Sequence, residues 1–203
     1  MASRTPAPRQ QNAATPTRAH HTIRIIGGAW RRSQLPVASQ PGLRPTPDRV
    51  RETLFNWLGQ NLAGWRVIDA FAGTGALGLE AASRGAAQVL LVEQDAALVA
   101  SLEAAIARLR AQTVRVRRGD AIAALQQLAG SAPASVDLLL LDPPYDERGL
   151  YAPALQAAGR LLAPAGWIYL EAAQPWTQAD LSALGGWTLH RHLKAGAVHA
   201  HLL

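Results

Sequence analysis

Cysteine is absent from the 203 residues, and aromatic residues make up only 5% of them. The absence of cysteine excludes disulfides and thiolate metal sites, and it is typical of a reducing compartment such as the cytoplasm. Long apolar runs are also lacking, since the longest, Val136 to Leu141, is broken by Asp137. Because so short a run cannot span a bilayer, we expect a cytoplasmic protein with no membrane-spanning segment.

Acidic residues are scarce in the N-terminal part of the chain. Residues 1–60 hold nine arginines against Asp48 and Glu52, a net charge of +7, whereas the remainder holds eleven basic and twelve acidic residues, a net charge of −1. A basic segment on a nearly neutral body favours contact between that segment and a polyanion. Residues 1–21 contain no acid and no apolar periodicity, so we predict a disordered basic tail there.

Residues 22–62 are predicted to form a small basic extension. A β-like run at 22–26, a turn at Gly27-Gly28 and a second run ending at Pro36 indicate a hairpin. After a proline-rich loop, apolar residues recur at helical spacing from Asp48, an acid placed to cap a helix, to Gly59.

Residues 63–203 are predicted to form one α/β domain. Short apolar strands alternate with alanine-rich helices, which calls for a doubly wound, Rossmann-like parallel sheet. The last two runs, 187–193 and 197–203, are too close for a crossover, so they should form an antiparallel hairpin at the edge of the sheet. The predicted strands are 65–70, 88–93, 113–117, 136–141 and 167–171, and the predicted helices are 76–83, 96–109, 121–128 and 151–162.

A glycine-rich turn follows the first of these strands. Its glycines let the backbone approach a ligand, and the next helix offers free N–H groups to a carboxylate or phosphate. Gly73, Gly75 and Gly78 also satisfy the dinucleotide pattern, so the turn alone fits both a nicotinamide cofactor and S-adenosylmethionine. Asp69 favours S-adenosylmethionine, because a carboxylate suits its cationic amino-acid end and would repel a pyrophosphate.

Acids also follow the next two strands. Glu93 is placed to hold ribose hydroxyls, and Asp120 to accept the amino group of an adenine. Asp120 stands equally where a helix N-cap belongs, and both roles can hold at once. The predicted cofactor residues are Asp69, Phe71, Ala72, Gly73, Thr74, Gly75, Gly78, Glu93, Asp120 and Ala121.

The sequence Asp142-Pro143-Pro144-Tyr145 follows the apolar strand 136–141 and is the most specific motif in the chain. Two prolines make the turn rigid, so the Asp142 carboxylate and the Pro143 carbonyl can each accept one N–H of a planar amine. The amine lone pair is then directed at a methyl donor, and the positive charge that develops is stabilised. Tyr145 is predicted to stack on the base that carries the amine, which must be unpaired or flipped out.

Several basic residues are candidates for RNA contact. Trp30 lies beside two arginines and is predicted to stack on a nucleotide. The predicted RNA-binding residues are Arg24, Trp30, Arg31, Arg32, Arg44, Arg49 and Arg51.

Four histidines lie in the last two predicted strands. The pair at 190 and 192, and the pair at 199 and 201, could each share a strand face. No carboxylates accompany them, so we expect no metal site.

The chain closely resembles the RsmD family of bacterial 16S ribosomal RNA guanine-N2 methyltransferases. The resemblance rests on residues 24–31, 42–58 and 69–80 and on the Asp142-Pro143-Pro144-Tyr145 turn, and it covers about 23–171. It implies S-adenosyl-L-methionine as donor, a seven-stranded sheet with a reversed edge strand, and a small ribosomal subunit as substrate. It also implies Asp69, Gly73 and Gly75 on the amino-acid end of the donor, with Glu93 on the ribose and Asp120 on the adenine. Asp142 and Tyr145 are implied to contact the target guanine.

Three alternatives stay open at this point. An adenine-N6 methyltransferase uses the same turn, with aspartate usual at its first position, but the material after residue 171 is little for recognition of a DNA groove. A nicotinamide-dependent oxidoreductase would leave the Asp142 turn unexplained, and a non-catalytic RNA-binding module would not need Asp142. A monomer is expected.

Overall fold

The computed structural model describes residues 22–36 and 46–203. The predicted tail, residues 1–21, and the predicted RNA-binding residue Arg44 lie outside them. The first element is a hairpin of strands β1, Thr22–Arg24, and β2, Gln34–Pro36, which pair antiparallel. The predicted N-terminal hairpin is therefore present.

A seven-stranded sheet and six helices follow the hairpin in the described part of the chain. The strands are β3 Arg66–Asp69, β4 Gln88–Glu93, β5 Val114–Arg118, β6 Val136–Leu141, β7 Leu162–Ala172, β8 Arg191–Ala195 and β9 Val198–Leu202. The helices are α1 Asp48–Trp57, α2 Ala76–Ser83, α3 Ala96–Leu109, α4 Ala121–Ser131, α5 Tyr151–Leu161 and α6 Gln178–Ala183, with a short 3-10 turn at Arg148–Leu150 before α5.

The strand order in the sheet is β5-β4-β3-β6-β7-β9-β8. Strands β3 to β7 are parallel, and β9 runs antiparallel to both of its neighbours. The chain order reverses between β3 and β6, and in open α/β sheets ligands bind beside the carboxyl ends of the strands at such a point. The predicted doubly wound sheet with an antiparallel hairpin is confirmed.

The sheet separates two apolar cores. On one face α1, α2 and α3 pack with the N-terminal hairpin, through buried side chains such as Leu54, Leu79 and Leu102. On the other face α4, α5 and α6 pack through Leu125, Leu155 and other buried residues. Burying a leucine contributes about 2 kcal/mol. The extension is thus part of the same core as the seven-stranded sheet.

The end of the sheet differs from the prediction in two ways. The reversed strand, β9, is not the edge strand: it is buried throughout and lies between β7 and β8. Strand β8 forms the edge and exposes Arg191, His192 and Lys194. Charged residues on an edge strand discourage pairing with other chains. Helix α6 was not predicted, since its six residues are too few to show a helical period.

The start of α1 also differs from the prediction. Pro47 occupies the N-cap position and Asp48 is the first helical residue. The Asp48 carboxylate accepts hydrogen bonds from Arg24 at 2.8 Å and Arg51 at 2.6 Å, so these ion pairs replace a capping role.

Arg51 is fully buried, and the prediction that it contacts RNA is wrong. Its guanidinium pairs with Asp48 and, at 3.4 Å, with the buried carboxylate of Glu80, and it donates to the backbone carbonyls of Arg24 and Thr46. Burial lowers the pKa of Arg51, while Glu80 and Asp48 raise it. The arginine ties the extension to α2 and cannot reach a phosphate.

Glu80, a residue of α2, also holds the N-terminal hairpin against that helix. Its two oxygens accept the backbone N–H groups of Ile26 at 2.7 Å and Gly27 at 2.8 Å, and it also pairs with Arg84. Ser83 donates to the Gly27 carbonyl at 2.6 Å. The hairpin is therefore fixed relative to the helix that follows the glycine-rich turn. No helix among residues 22–36 and 46–203 has the length and apolarity needed to cross a bilayer.

Candidate active site

A cavity of about 700 Å³ lies at the carboxyl ends of β3 to β6. This is the size of many cofactor pockets. Because parallel strands end at the same edge, residues far apart in sequence meet there. Most of the predicted site residues line the cavity: Asp69, Phe71, Ala72, Gly73, Thr74, Glu93, Asp120, Ala121, Asp142, Pro143, Pro144 and Tyr145.

Asp69 is the buried acid at the end of β3. One carboxylate oxygen, Oδ2, accepts the backbone N–H of Gly78 at 2.9 Å. The other, Oδ1, is buried and finds no hydrogen-bond partner within the residues that the structure describes. Burial raises the pKa of Asp69 to about 7, and the charge of Glu93 adds to this effect. A buried oxygen without a donor is costly, so this site is prepared for a cationic or hydrogen-bond-donating ligand.

The three glycines of the turn have different structural roles. Gly73 lines the cavity with φ of 51°, in the left-handed region. Gly75 and Gly78 lie outside the cavity lining, although both were predicted to contact the cofactor. A Cβ on Gly78 would lie 2.2 Å from Leu91 Cδ2, so this glycine lets α2 pack on β4 and brings its N–H to Asp69. Gly75, with φ of 77°, begins α2.

Glu93 ends β4, and Asp120 follows the adjacent strand β5. The Glu93 oxygens accept the N–H groups of Gly73 at 2.8 Å and Asp95 at 2.9 Å, which fixes the carboxylate at the end of β4 and leaves lone pairs for a ligand. Asp120 is exposed and caps α4 by accepting the Ala123 N–H at 2.7 Å. The capping role considered from the sequence is confirmed, and Asp120 also lines the cavity.

Asp142 lines the same cavity and directly follows β6, the neighbour of β3. Its Oδ2 accepts a hydrogen bond from the hydroxyl of Thr46 at 3.2 Å, and Thr46 is itself buried. Burial raises the pKa of Asp142 well above its usual range, as do the charges of Glu171 and Asp69, whereas the Thr46 hydrogen bond lowers it. The carboxylates of Glu171 and Asp69 are thus close enough to Asp142 to influence its charge.

Tyr145 is half-buried at the cavity wall, three residues after Asp142. Its hydroxyl donates to Glu171 Oε1 at 2.9 Å, and its ring packs against the apolar core. Burial, together with the charge of Glu171, raises the pKa of Tyr145, so the phenol stays protonated near neutral pH. The hydrogen bond to Glu171 thus fixes the hydroxyl end of the Tyr145 ring, near Asp142.

Sequence reasoning did not identify Thr46 and Glu171 as site residues. Glu171 is 2% exposed and ends in the same row as Asp142, because Leu141 of β6 pairs with Leu170 of β7. An acid within an apolar strand was visible in the sequence and marked this position. Thr46 lay in a proline-rich loop with no pattern that would distinguish it.

Four of the predicted RNA-binding arginines, Arg24, Arg31, Arg32 and Arg49, are exposed. Arg31 and Arg32 occupy the turn of the N-terminal hairpin, where Arg32 has φ of 72°. Trp30 is partly buried against the core, and its backbone N–H donates to Ser83 Oγ at 2.9 Å. The hairpin turn therefore presents cations on a rigid base.

The histidines of the edge hairpin interact with each other. His192 Nε2 lies 3.0 Å from His199 Nδ1, and the His192 ring stacks on those of His199 and His201. His201 Nε2 accepts the Trp176 N–H, and burial lowers the pKa of His201 to about 4. Within residues 22–36 and 46–203, no group of three or more His, Asp or Glu side chains is arranged to hold a metal ion.

Comparison with known proteins identifies the family. Residues 23–203 match the family described as Conserved hypothetical protein 95. The chain belongs to this family. It is 43% identical over 180 residues to Ribosomal RNA small subunit methyltransferase D of Escherichia coli, covering 87% of this chain and 86% of the relative. The protein of the same name from Haemophilus influenzae is 35% identical over 185 residues, covering 89% and 92% of the two chains.

Solved structures agree with this assignment. A putative methyltransferase of Escherichia coli superposes with a TM-score of 0.73 and 41% identity, covering 90% of this chain and 97% of that one. A putative methylase of Haemophilus influenzae gives 0.71 and 31%, with the same coverage. The predicted RsmD family and class I methyltransferase fold are confirmed, and the chain is a methyltransferase.

Proposed function

We propose that this chain transfers the methyl group of S-adenosyl-L-methionine to the exocyclic N2 amine of a guanine in 16S ribosomal RNA, with S-adenosyl-L-homocysteine as the other product. The observation that carries the proposal is that Asp69 and Asp142, at the ends of the adjacent strands β3 and β6, line one cavity beside a basic extension. The first acid fits the donor and the second fits an amine. Membership in a family with relatives named for small-subunit ribosomal RNA supports the substrate.

The residues present fit the cofactor. Oδ1 of Asp69, which has no hydrogen-bond partner among the described residues, suits an ammonium group, and the Gly73 turn lets a ligand come close to the backbone. Glu93, fixed by two backbone N–H groups, keeps acceptor capacity for two ribose hydroxyls. Asp120 stands at the far end for the adenine amine. When bound, S-adenosylmethionine supplies an electrophilic methyl group.

The chain's own residues then orient the amine. An exocyclic purine amine is a weak nucleophile because its lone pair is delocalised into the ring. Asp142 and the Pro143 carbonyl accept its two N–H groups, which directs the remaining lobe toward the donor and stabilises the charge that forms there. Ionised Asp142 is the stronger acceptor and the better stabiliser of the developing positive charge, so activity should rise with pH through its raised pKa.

The substrate is a base that has left its stack. Tyr145 offers a fixed aromatic face for it, and the exposed arginines of the hairpin turn and of α1 are placed to bind phosphates. We propose that the substrate is a partly or fully assembled small subunit, that the enzyme acts as a monomer, and that it works in the cytoplasm, where such subunits are made.

Methyl transfer from radiolabelled S-adenosylmethionine tests this proposal. The acceptors are small subunits from a strain that lacks this gene, and a plasmid DNA is the control. Label recovered as N2-methylguanosine supports donor, reaction and base together. Label in N6-methyladenine from DNA would instead support the adenine-N6 alternative, which shares the Asp142 turn.

The Asp142→Ala variant distinguishes cofactor binding from methyl transfer. The variant should bind S-adenosylmethionine with an affinity within about threefold of wild type in calorimetry, since Asp142 faces the amine, and it should lose methyl transfer by more than about a hundredfold. Loss of cofactor binding with retention of transfer would contradict the role proposed for Asp142. Binding of NADH in place of S-adenosylmethionine would point to an oxidoreductase.

A further inference from the structure

Glu171 is a buried carboxylate that the proposed mechanism does not use. It lies near the end of β7 and is 2% exposed. The parallel pairing of Leu141 with Leu170 puts it beside Asp142, which directly follows the neighbouring strand β6. Placing two carboxylates side by side away from water is unfavourable, and such arrangements concentrate at functional sites.

Three tyrosine hydroxyls surround Glu171. Tyr145 donates to Oε1 at 2.9 Å and Tyr169 donates to Oε2 at 2.8 Å, so each carboxylate oxygen has its own phenol. Tyr151 donates instead to the backbone carbonyl of Glu171 at 3.2 Å. The two side-chain hydrogen bonds leave the carboxylate one orientation, because Tyr169 is fully buried in the sheet.

The geometry connects this carboxylate to the site through Tyr145. That ring is half-exposed at the cavity wall and follows a rigid pair of prolines, and its phenol is anchored to a group that cannot turn. A stacking face is useful only when its plane is fixed, because misplacement by about 1 Å can cost a hundredfold in rate.

We propose that Glu171 is a positioning residue for methyl transfer, which fixes the ring of Tyr145 so that the target base enters beside Asp142 in one orientation. The proposal rests on the proposed function. It also explains why an acid stands where an apolar residue would pack at lower cost. Burial raises the pKa of Glu171, and the hydrogen bonds from Tyr169 and Tyr145 oppose that rise. The carboxylate is the better acceptor of the two phenols when it is ionised.

The test compares Glu171→Gln, Tyr145→Phe and their double variant, with Tyr151→Phe as the matched control. The control removes a phenol hydroxyl that contacts Glu171 but not its carboxylate. Both single variants should lower kcat on small subunits about tenfold, while the affinity for S-adenosylmethionine stays within about twofold. The double variant should be no slower than the slower single variant, because both changes weaken the same contact between Tyr145 and residue 171. Tyr151→Phe should keep the wild-type kcat.

A pH profile separates the effect of the Glu171 charge from the effect of its contact with Tyr145. Replacing Glu171 by neutral Gln removes a charge that raises the pKa of Asp142, so the acid limb of the kcat profile should move to lower pH. Tyr145→Phe should leave that limb within about 0.3 pH units of wild type, because it changes no charge. The titratable groups that interact with Asp142 are Asp69 from β3, Glu171 and Tyr169 from β7, Tyr145 from the turn and Tyr151 from α5.

Three outcomes would overturn the proposal: unchanged kcat in both single variants, losses that multiply in the double variant, or an equal loss in Tyr151→Phe. If Glu171→Gln does not fold, Tyr145→Phe against Tyr151→Phe decides alone, and equal rates overturn it. If the wild-type enzyme transfers no methyl group to small subunits, the proposed function fails and the positioning role fails with it. That result is distinct from an active wild type whose variants are unaffected.

Discussion

Asp69 Oδ2 accepts the backbone N–H of Gly78 at 2.9 Å, across the turn between β3 and α2. The contact is close because Gly78 has no side chain, and an added Cβ would lie 3.1 Å from both Asp69 Oδ2 and Asp69 Cβ. The second oxygen of Asp69 is buried and has no partner within the described residues. The free enzyme thus keeps a buried charge ready for a ligand, at a cost in stability.

Asp69→Asn should stabilise the free enzyme at pH 8. The pKa of Asp69 is about 7, above its unfolded value, so the folded state binds more protons and the free energy of unfolding falls as pH rises through about 7. Asparagine cannot ionise and avoids this loss, so we expect a gain of roughly 1 to 3 kcal/mol at pH 8. Denaturant unfolding at pH 8 and pH 5 measures it, and the gain should shrink at pH 5. A variant less stable than wild type at pH 8 would contradict this.

Cofactor affinity should depend on the same group. An ammonium pairs with ionised Asp69, so binding competes with the proton, and the Kd for S-adenosylmethionine should rise as pH falls below about 7. We expect roughly a fivefold to tenfold weaker Kd at pH 6 than at pH 8 by calorimetry, with proton release at the lower pH. Equal affinities at the two values would refute an ionised Asp69 as the ammonium partner.

Arg51 and Arg49 are neighbours on α1 with opposite environments. Arg51→Ala leaves the buried Glu80 with one cation fewer, so we expect a loss of about 2 to 4 kcal/mol in unfolding free energy. Arg49 is exposed, and Arg49→Ala should change stability by less than about 0.5 kcal/mol while weakening RNA binding. Thermal melts and filter binding distinguish the two. Similar stabilities for both variants would show that the buried pair contributes little.

Much of the fold could be predicted because the strands are apolar runs with sharp ends. Strands β4 and β6 and helices α2 and α3 were predicted to the residue, since glycine, proline and acidic residues bound them. The acids at the ends of β3, β4 and β6 could be assigned to one site because parallel strands end at one edge.

What the sequence could not show depends on contacts between distant residues. Arg51 lies in an arginine-rich segment, and composition alone counts it as a cation for RNA. Its partner Glu80 lies 29 residues away, and only the packing of α1 on α2 brings them together. Thr46 and Asp142 are 96 residues apart. Such pairings are fixed by the tertiary fold, not by any local period.

Arg31 and Arg32 should contribute to RNA affinity through phosphates. Both are exposed on the hairpin turn, which Glu80 and Ser83 hold rigid. Replacing both by alanine should weaken binding to the small subunit and reduce the slope of log K against log salt by about one to two, as expected for two lost phosphate contacts. Binding is measured between about 50 and 200 mM salt. An unchanged affinity and slope would show that neither arginine contacts an RNA phosphate.

Thr46→Val should slow methyl transfer and move its pH dependence, because the hydroxyl supports the ionised form of Asp142. Burial raises the pKa of Asp142 and the Thr46 hydrogen bond lowers it, so losing the hydroxyl raises it further. The acid limb of kcat should therefore move to higher pH, opposite to the shift expected for Glu171→Gln. We expect kcat to fall about threefold to tenfold at neutral pH, with an unchanged Kd for S-adenosylmethionine. Thr53→Val is the matched control, since that hydroxyl bonds only to the Arg49 carbonyl among the contacts described for α1, and it should leave the profile in place. If the acid limb of Thr46→Val coincides with that of the control, the Thr46 hydroxyl does not affect the ionisation of Asp142.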